Sequence, residues 1–65
     1  MNVRLTEFWN RMDERFGPLY ARSVAADYRL PVLGATVNDA LARGDDAKTI
    51  WRAVCAEFDV PGHLH

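Results

Sequence analysis

Few residues in this sequence have side chains that could carry out a reaction or hold a metal. The 65 residues include one cysteine, Cys55, and two histidines, His63 and His65. Cys55 lies in an apolar, helix-like stretch with no histidine nearby in sequence, and burial makes a thiol unreactive. His63 and His65 alone supply too few ligands, because a structural zinc site takes four. The spacing of these residues therefore predicts no catalytic residue and no metal site.

Other catalytic patterns are also missing from the sequence. It contains no glycine-rich phosphate loop, no nucleophile elbow and no pair of carboxylates placed to share a cleft. The acidic residues instead fall where helix caps and solvent-facing positions are expected. We therefore expect a protein that is not an enzyme and that binds no cofactor.

The basic residues suggest a different chemistry, which is the binding of an anionic partner. Arg11 and Arg15 fall on one edge of the first predicted helix, and Lys48, Trp51 and Arg52 fall on the last. A guanidinium group can pair with a carboxylate or a phosphate through two parallel hydrogen bonds. These five residues form the candidate partner-binding site, on the rim where the two helices are expected to meet. Ordinary surface charge is the alternative explanation for them.

Chain length and charge narrow the classes of function. A chain this short buries only about 60% of the surface that its unfolded form exposes, which leaves little room for a catalytic cleft. Its formal net charge is −1, whereas nucleic-acid-binding modules usually carry a clear positive excess. The N-terminal stretch lacks the apolar core of a signal peptide, and no run reaches the ~20 apolar residues that span a bilayer. The expected location is the cytoplasm.

Periodic apolar residues predict the elements that would position this site. Apolar side chains recur every three or four residues, which is typical of amphipathic helices. The predicted helices are 6–16, 18–28, a short one over 37–43, and 46–58. We therefore expect an all-α fold, a small bundle of three main helices plus one short helix, with a helical hairpin in the C-terminal half. A single domain would span 1–65, with an ordered core over about 5–61 and a tail over 62–65.

Glycine, proline and threonine mark the ends of these helices. Gly17 would end the first helix, and Pro18 suits the first position of the second. Thr36 has the spacing of an N-terminal cap, and Gly44 stands where a helix often ends. The sequence leaves the conformation of the connector 29–35 open, because a proline within it breaks the second helix.

The C-terminal hairpin also has features of a DNA-binding helix-turn-helix. Ala40, Gly44 and Ile50 match the small, turn-glycine and apolar positions of that motif. Asp45 and Asp46, however, would place negative charge at the start of the reading helix, close to DNA phosphates. A packed helical hairpin that does not read DNA is therefore the preferred interpretation.

Three blocks of the sequence resemble a known family. They are RLTEFWNRMDERFG (4–17), TVNDALARG (36–44) and IWRAVCAEFDVP (50–61). Their order and spacing are similar to those of a family of short actinobacterial proteins, domain-of-unknown-function family three thousand and forty-six. Members of this family are found near genes for a recombinase and its regulator, so the resemblance implies a link with DNA repair. It assigns no catalytic residue to this chain.

Aromatic residues favour a role in contacting another macromolecule. Tyr20, Val24 and Tyr28 form a stripe that supports the second predicted helix. Trp9 and Trp51 lie on apolar faces of the first and last helices, where packing in the core is the alternative to a binding role. So small a core is not expected to cover every large side chain, and an uncovered aromatic patch marks a partner site. We therefore predict a small cytoplasmic protein that contacts an unidentified protein partner or forms a homodimer, with no membrane contact. A helix-turn-helix-like DNA-binding accessory protein, linked to DNA repair, is the alternative.

Overall fold

The computed structural model describes residues 4–65. In chain order the elements are α1 (Leu5–Phe16), α2 (Pro18–Asp27), β1 (Arg29–Leu30), β2 (Ala35–Thr36), α3 (Val37–Ala42), α4 (Ala47–Glu57) and a final 3₁₀ turn (Gly62–Leu64). Three helices are long and one is short, and the two strands hold two residues each. The predicted all-α class, with a short helix before the last long one, is confirmed.

The core takes side chains from all four helices and from β1. Its largest fully buried side chains are Phe8, Met12, Leu30, Val37, Ile50 and Val54. The ring of Phe8 on α1 meets the ring of Trp51 on α4 edge to face, with centroids 5.9 Å apart. Removing such side chains from water contributes about 1.5–3 kcal/mol each. The first and last helices therefore pack together through bulky side chains, as the sequence predicts.

The second helix reaches the core through small side chains. Ala21, Val24 and Ala25 are buried, whereas Tyr20 is 60% exposed and Tyr28 is 39% exposed. Of the stripe formed by Tyr20, Val24 and Tyr28, only Val24 therefore enters the core. Alanine lets the backbones of neighbouring helices approach closely, and α2 packs closely against α1. The larger tyrosine side chains are consequently left on the outer face of α2.

The connector between α2 and α3 contains a two-stranded antiparallel sheet that the sequence pattern does not predict. Leu30 of β1 pairs with Ala35 of β2. The turn between them closes through a hydrogen bond of 2.8 Å from the Gly34 N–H to the Leu30 carbonyl, and Gly34 has a φ of 63°. Strands of two residues are too short to show the alternation of apolar and polar residues by which a strand is recognised.

The predicted helix ends at glycine and threonine are confirmed. The Thr36 hydroxyl accepts a hydrogen bond of 3.1 Å from the backbone N–H of Asp39, which caps α3. Gly44, with a φ of 93°, allows the chain to turn between α3 and α4. Gly17 ends α1 and precedes α2, and Pro18 is the first residue of α2.

Gly17→Ala is expected to lower the free energy of unfolding by about 1–3 kcal/mol. Gly17 has φ 90° and ψ 148°, a backbone region that only glycine occupies readily. A Cβ at this position would meet no atom within 4 Å, so the whole cost is backbone strain. Urea denaturation measures the loss, and Gly62→Ala is the control because Gly62 has equal space and no positive φ. Equal losses for the two substitutions would contradict this explanation.

The last residues differ from the tail expected over 62–65. Gly62–Leu64 forms a 3₁₀ turn, and the Leu64 side chain is buried in the core. The Nε1–H of Trp51 donates a hydrogen bond of 2.7 Å to the Leu64 carbonyl. A buried tryptophan needs an acceptor for its N–H, and the turn supplies that acceptor while it covers apolar surface. The final turn therefore becomes one wall of the surface beside α4.

Candidate functional site

An open groove of about 450 Å³ runs along α4, with α1 and the final turn at its sides. It contains four of the five residues in the predicted partner-binding site. The groove, called the cationic groove below, is lined by Arg11, Lys48, Trp51, Arg52, Cys55, Ala56 and His65. The structure thus brings together residues that are separated by almost the whole length of the chain.

Helix geometry explains how these side chains meet. Lys48, Arg52 and Ala56 follow one another at intervals of four residues on α4, so they lie along one edge of that helix. Arg11 precedes the buried Met12 on α1 and comes three residues after the buried Phe8. It therefore borders the seam between α1 and α4, and faces the groove from the other side.

The groove carries positive charge that nearby carboxylates do not neutralise. Arg11, Lys48 and Arg52 all line it, and no acidic side chain does. Within residues 4–65, the two ion pairs join Arg43 to Asp45 and His63 to Glu14, so neither involves a groove cation. Cations held close together repel one another, and an anion placed between them relieves that repulsion. The arrangement suits a ligand with several negative charges.

Trp51 forms the floor of this groove. Its side chain is only 3% exposed, and its N–H is already bonded to the Leu64 carbonyl. The predicted role of Trp51 as a free partner contact is therefore corrected: its ring supports the groove from below. Cys55 and Ala56 complete an apolar floor between the charged side chains.

Arg15, the fifth predicted residue, lies apart from the groove. Its Nε–H donates a hydrogen bond of 2.7 Å to the Asp59 carbonyl, and its guanidinium carbon is 4.8 Å from the centre of the Phe16 ring. It lies one turn beyond Arg11 on α1, where α4 has ended and residue 59 passes instead. Arg15 thus holds the segment after α4 against α1, and the structure does not place it with the other four.

His65 and Cys55 belong to the groove although the sequence does not predict them as binding residues. The ring Nε2 of His65 lies 3.1 Å from the Val60 carbonyl, which holds the imidazole beside the groove. Burial raises the pKa of the Cys55 thiol, and the positive charge of Arg11 partly offsets this by lowering the pKa. The thiolate is the reactive form of cysteine, so this thiol reacts slowly at neutral pH.

Arg11→Ala is expected to shift the pH profile of Cys55 modification to higher pH. Loss of the guanidinium removes the charge that lowers the thiol pKa, so the pKa rises further and less thiolate is present at neutral pH. The rate of reaction with a thiol reagent, followed across pH, measures this shift. Arg22→Ala on α2, outside the groove, should leave the profile unchanged. A profile that does not move without Arg11 would show that the two side chains do not share the groove.

The α3–α4 hairpin consists of two helices joined by the turn 43–46. α3 spans only six residues, and Asp46 stands directly before α4. The guanidinium of Arg43 in the turn is occupied by the carboxylate of Asp45 and by the Leu33 carbonyl. The cations of α4 instead line a groove shared with α1.

Comparison with known proteins gives one match. A family model described as "Protein of unknown function (DUF3046)" matches residues 3–63. No curated protein and no solved structure matches the chain. Within residues 4–65, no helix has the length and apolar character needed to cross a bilayer, and no three His, Cys, Asp or Glu side chains cluster as metal ligands would.

Proposed function

We propose that this chain, which belongs to the DUF3046 family, is a non-enzymatic module that binds an acidic segment of a partner protein in the cationic groove. The description of that family states no activity. One observation carries this proposal. Arg11, Lys48 and Arg52 line a groove to which residues 4–65 contribute no acidic side chain, in a chain whose net charge is −1. Positive charge is therefore concentrated at one place, as anion binding requires.

The floor of the groove favours a protein segment over a nucleic acid. Cys55 and Ala56 offer apolar surface between the cations. An acidic peptide can place an apolar side chain on that floor and carboxylates beside the cations, whereas a phosphate backbone has nothing apolar to bury. A DNA-binding protein whose affinity depends strongly on salt makes on the order of 6–10 phosphate contacts, and the three groove cations supply about half of the lower figure at one contact each.

The alternative function is weak DNA binding by the helical hairpin. It is favoured by the position of Lys48 in the first turn of α4, the second helix of that hairpin, and of Arg52 at the middle of the same helix. It is disfavoured by Asp45 and Asp46 at the start of the same helix, where they would meet DNA phosphates.

Fluorescence anisotropy separates the two functions. The probes are a labelled peptide rich in glutamate and leucine, and a labelled random-sequence DNA duplex, each titrated at low and moderate salt. We expect the peptide to bind with a Kd of roughly 10 μM and the duplex not to bind. Arg52→Ala should weaken peptide binding about tenfold, because it removes one charge from the groove. Arg22→Ala, which removes an exposed cation from α2, is the matched control and should have no effect.

The other possible results of these titrations would support DNA binding or refute anion binding by the groove. Salt-sensitive binding of the duplex that is weakened by Lys48→Ala would establish the DNA-binding alternative. Failure of both probes at low salt would refute anion binding by the groove. Sedimentation across protein concentrations tests the homodimer, because a monomer at every concentration excludes it.

A further inference from the structure

A second surface, which shares no lining residue with the cationic groove, exposes apolar side chains along α2. Leu19 is 85% exposed, and Tyr20 and Tyr28 also face solvent. Single exposed apolar residues are ordinary, but neighbouring ones that include two aromatic rings mark an interaction site. Tyr20, Tyr28 and Leu19, with the rings of Phe16 and Phe58 behind them, are called the aromatic face below.

The rings of the aromatic face form a continuous row with fixed geometry. Tyr20 packs edge to face on Phe16, Phe16 packs on Phe58, and Phe58 packs on Tyr28, with centroid distances of 5.8, 5.0 and 4.9 Å. The Tyr28 hydroxyl donates a hydrogen bond of 2.8 Å to Glu57, whose carboxylate raises the pKa of that hydroxyl. A ligand that binds here meets rings that are already ordered, so it loses less entropy on binding.

A shallow cavity of about 240 Å³ lies between the two tyrosines. Tyr20, Ser23, Val24, Asp27 and Tyr28 line it. Cofactor and drug-sized pockets usually have about 300–1,000 Å³, so this cavity suits a few compact side chains. Two aromatic rings flanking a small groove are what an extended proline-rich segment uses.

Acidic side chains border the same surface. Asp27 is the last residue of α2, and no basic residue lies in the last turn of that helix. A carboxylate at a helix C-terminus faces the negative end of the helix dipole, and a cation from a ligand would relieve that unfavourable contact. Glu57 adds a second carboxylate beside Tyr28. At the other end of the row, the Arg15 guanidinium lies 4.8 Å from the centre of the Phe16 ring, so a basic ligand is complementary in charge only to the end of the aromatic face beside Tyr28.

The same acidic border argues against a second copy of this chain as the occupant. In a two-fold symmetric dimer each protomer presents the same patch, so a dimer through this face would bring two copies of Asp27 and two of Glu57 into one interface. Like charges placed opposite one another cost binding free energy. We propose that the aromatic face binds a proline-rich segment in the extended polyproline II conformation, with a basic residue at one end placed beside Asp27 and Glu57.

A synthetic oligoproline tests this proposal directly. The probe has about six prolines, two turns of the polyproline helix, flanked by arginines at either end. In a titration followed by ¹⁵N chemical shifts, we expect the amides of Tyr20, Ser23 and Tyr28 to move and those of the cationic groove to stay. Tyr20→Ala should weaken binding about tenfold. Asp27→Asn should weaken it by a smaller factor that disappears at high salt.

Matched peptides and variants keep the test decisive. Replacing the arginines by glutamates, or the prolines by alanines, should reduce binding below detection. Tyr20→Phe keeps the ring on Phe16 and should retain most of the affinity, and Lys48→Ala should retain all of it. Failure of the arginine-flanked peptide to bind at about 1 mM overturns the proposal. Equal binding of the alanine or glutamate peptide overturns it as well.

Discussion

Phe8→Ala is expected to destabilise the protein by about 3–5 kcal/mol, the usual range for removing a buried phenylalanine ring. Phe8 is fully buried and meets both Trp9 and Trp51 edge to face, with centroid distances of 5.4 and 5.9 Å. Domains of this length have a total stability of roughly 3–10 kcal/mol. The variant should therefore be largely unfolded, or close to it, at room temperature. Urea denaturation followed by tryptophan fluorescence measures the loss.

The control for Phe8 comes from the same chain. Leu19→Ala also removes a large apolar side chain, but Leu19 is 85% exposed, so its loss should change stability by less than about 0.5 kcal/mol. Phe8→Leu, which leaves a smaller cavity, should fall between the two. If Phe8→Ala cost no more than Leu19→Ala, the packing of α1 on α4 would not be the main support of this fold.

The double charge reversal of Lys48 and Arg52 to glutamate is expected to weaken binding of the acidic peptide at least a hundredfold. The substitutions remove two attractive charges and place two repulsive ones beside the same ligand, and like charges across an interface cost several kcal/mol. Neither side chain is part of the buried core, so the fold should survive. Anisotropy measures the affinity, and thermal unfolding verifies that the variant remains folded.

A second double variant controls for net charge. Reversal of Arg4 and Arg22 to glutamate changes the total charge by the same amount, but neither residue lines the groove. It should weaken peptide binding by less than about threefold at moderate salt, because salt screens exposed charges that do not contact the peptide. Equal losses in the two double variants would mean that net charge, and not the groove, attracts the peptide.

The sequence predicts the helices well because their evidence is local. Apolar residues at helical spacing, Gly17 before Pro18, and Thr36 three residues before Asp39 all report on their immediate neighbours. The sheet in the connector is missed because each strand holds only two residues. No alternation can develop over that length, so pairing there depends on the elements that it joins.

The sequence predicts only some of the residues that line the cationic groove, because local spacing sets only part of its geometry. Helical spacing gives the direction in which Arg11 and Arg15 point, but it does not give the length of the helix that faces them. Arg11 therefore meets α4, whereas Arg15 meets the segment after it. Leu64 and His65 are missed because their positions depend on the hydrogen bond from the Trp51 N–H to the Leu64 carbonyl. No local pattern in the sequence encodes that bond.

Chemical-shift mapping of the acidic peptide on ¹⁵N-labelled protein tests the central claim of binding in the cationic groove most directly. The account predicts that the backbone amides of Arg11, Lys48, Arg52 and Cys55 and the indole N–H of Trp51 shift with peptide concentration. It also predicts that the amides of the aromatic face on α2 do not move. Shifts confined to α2 or α3, or none at about 1 mM peptide, would contradict the account.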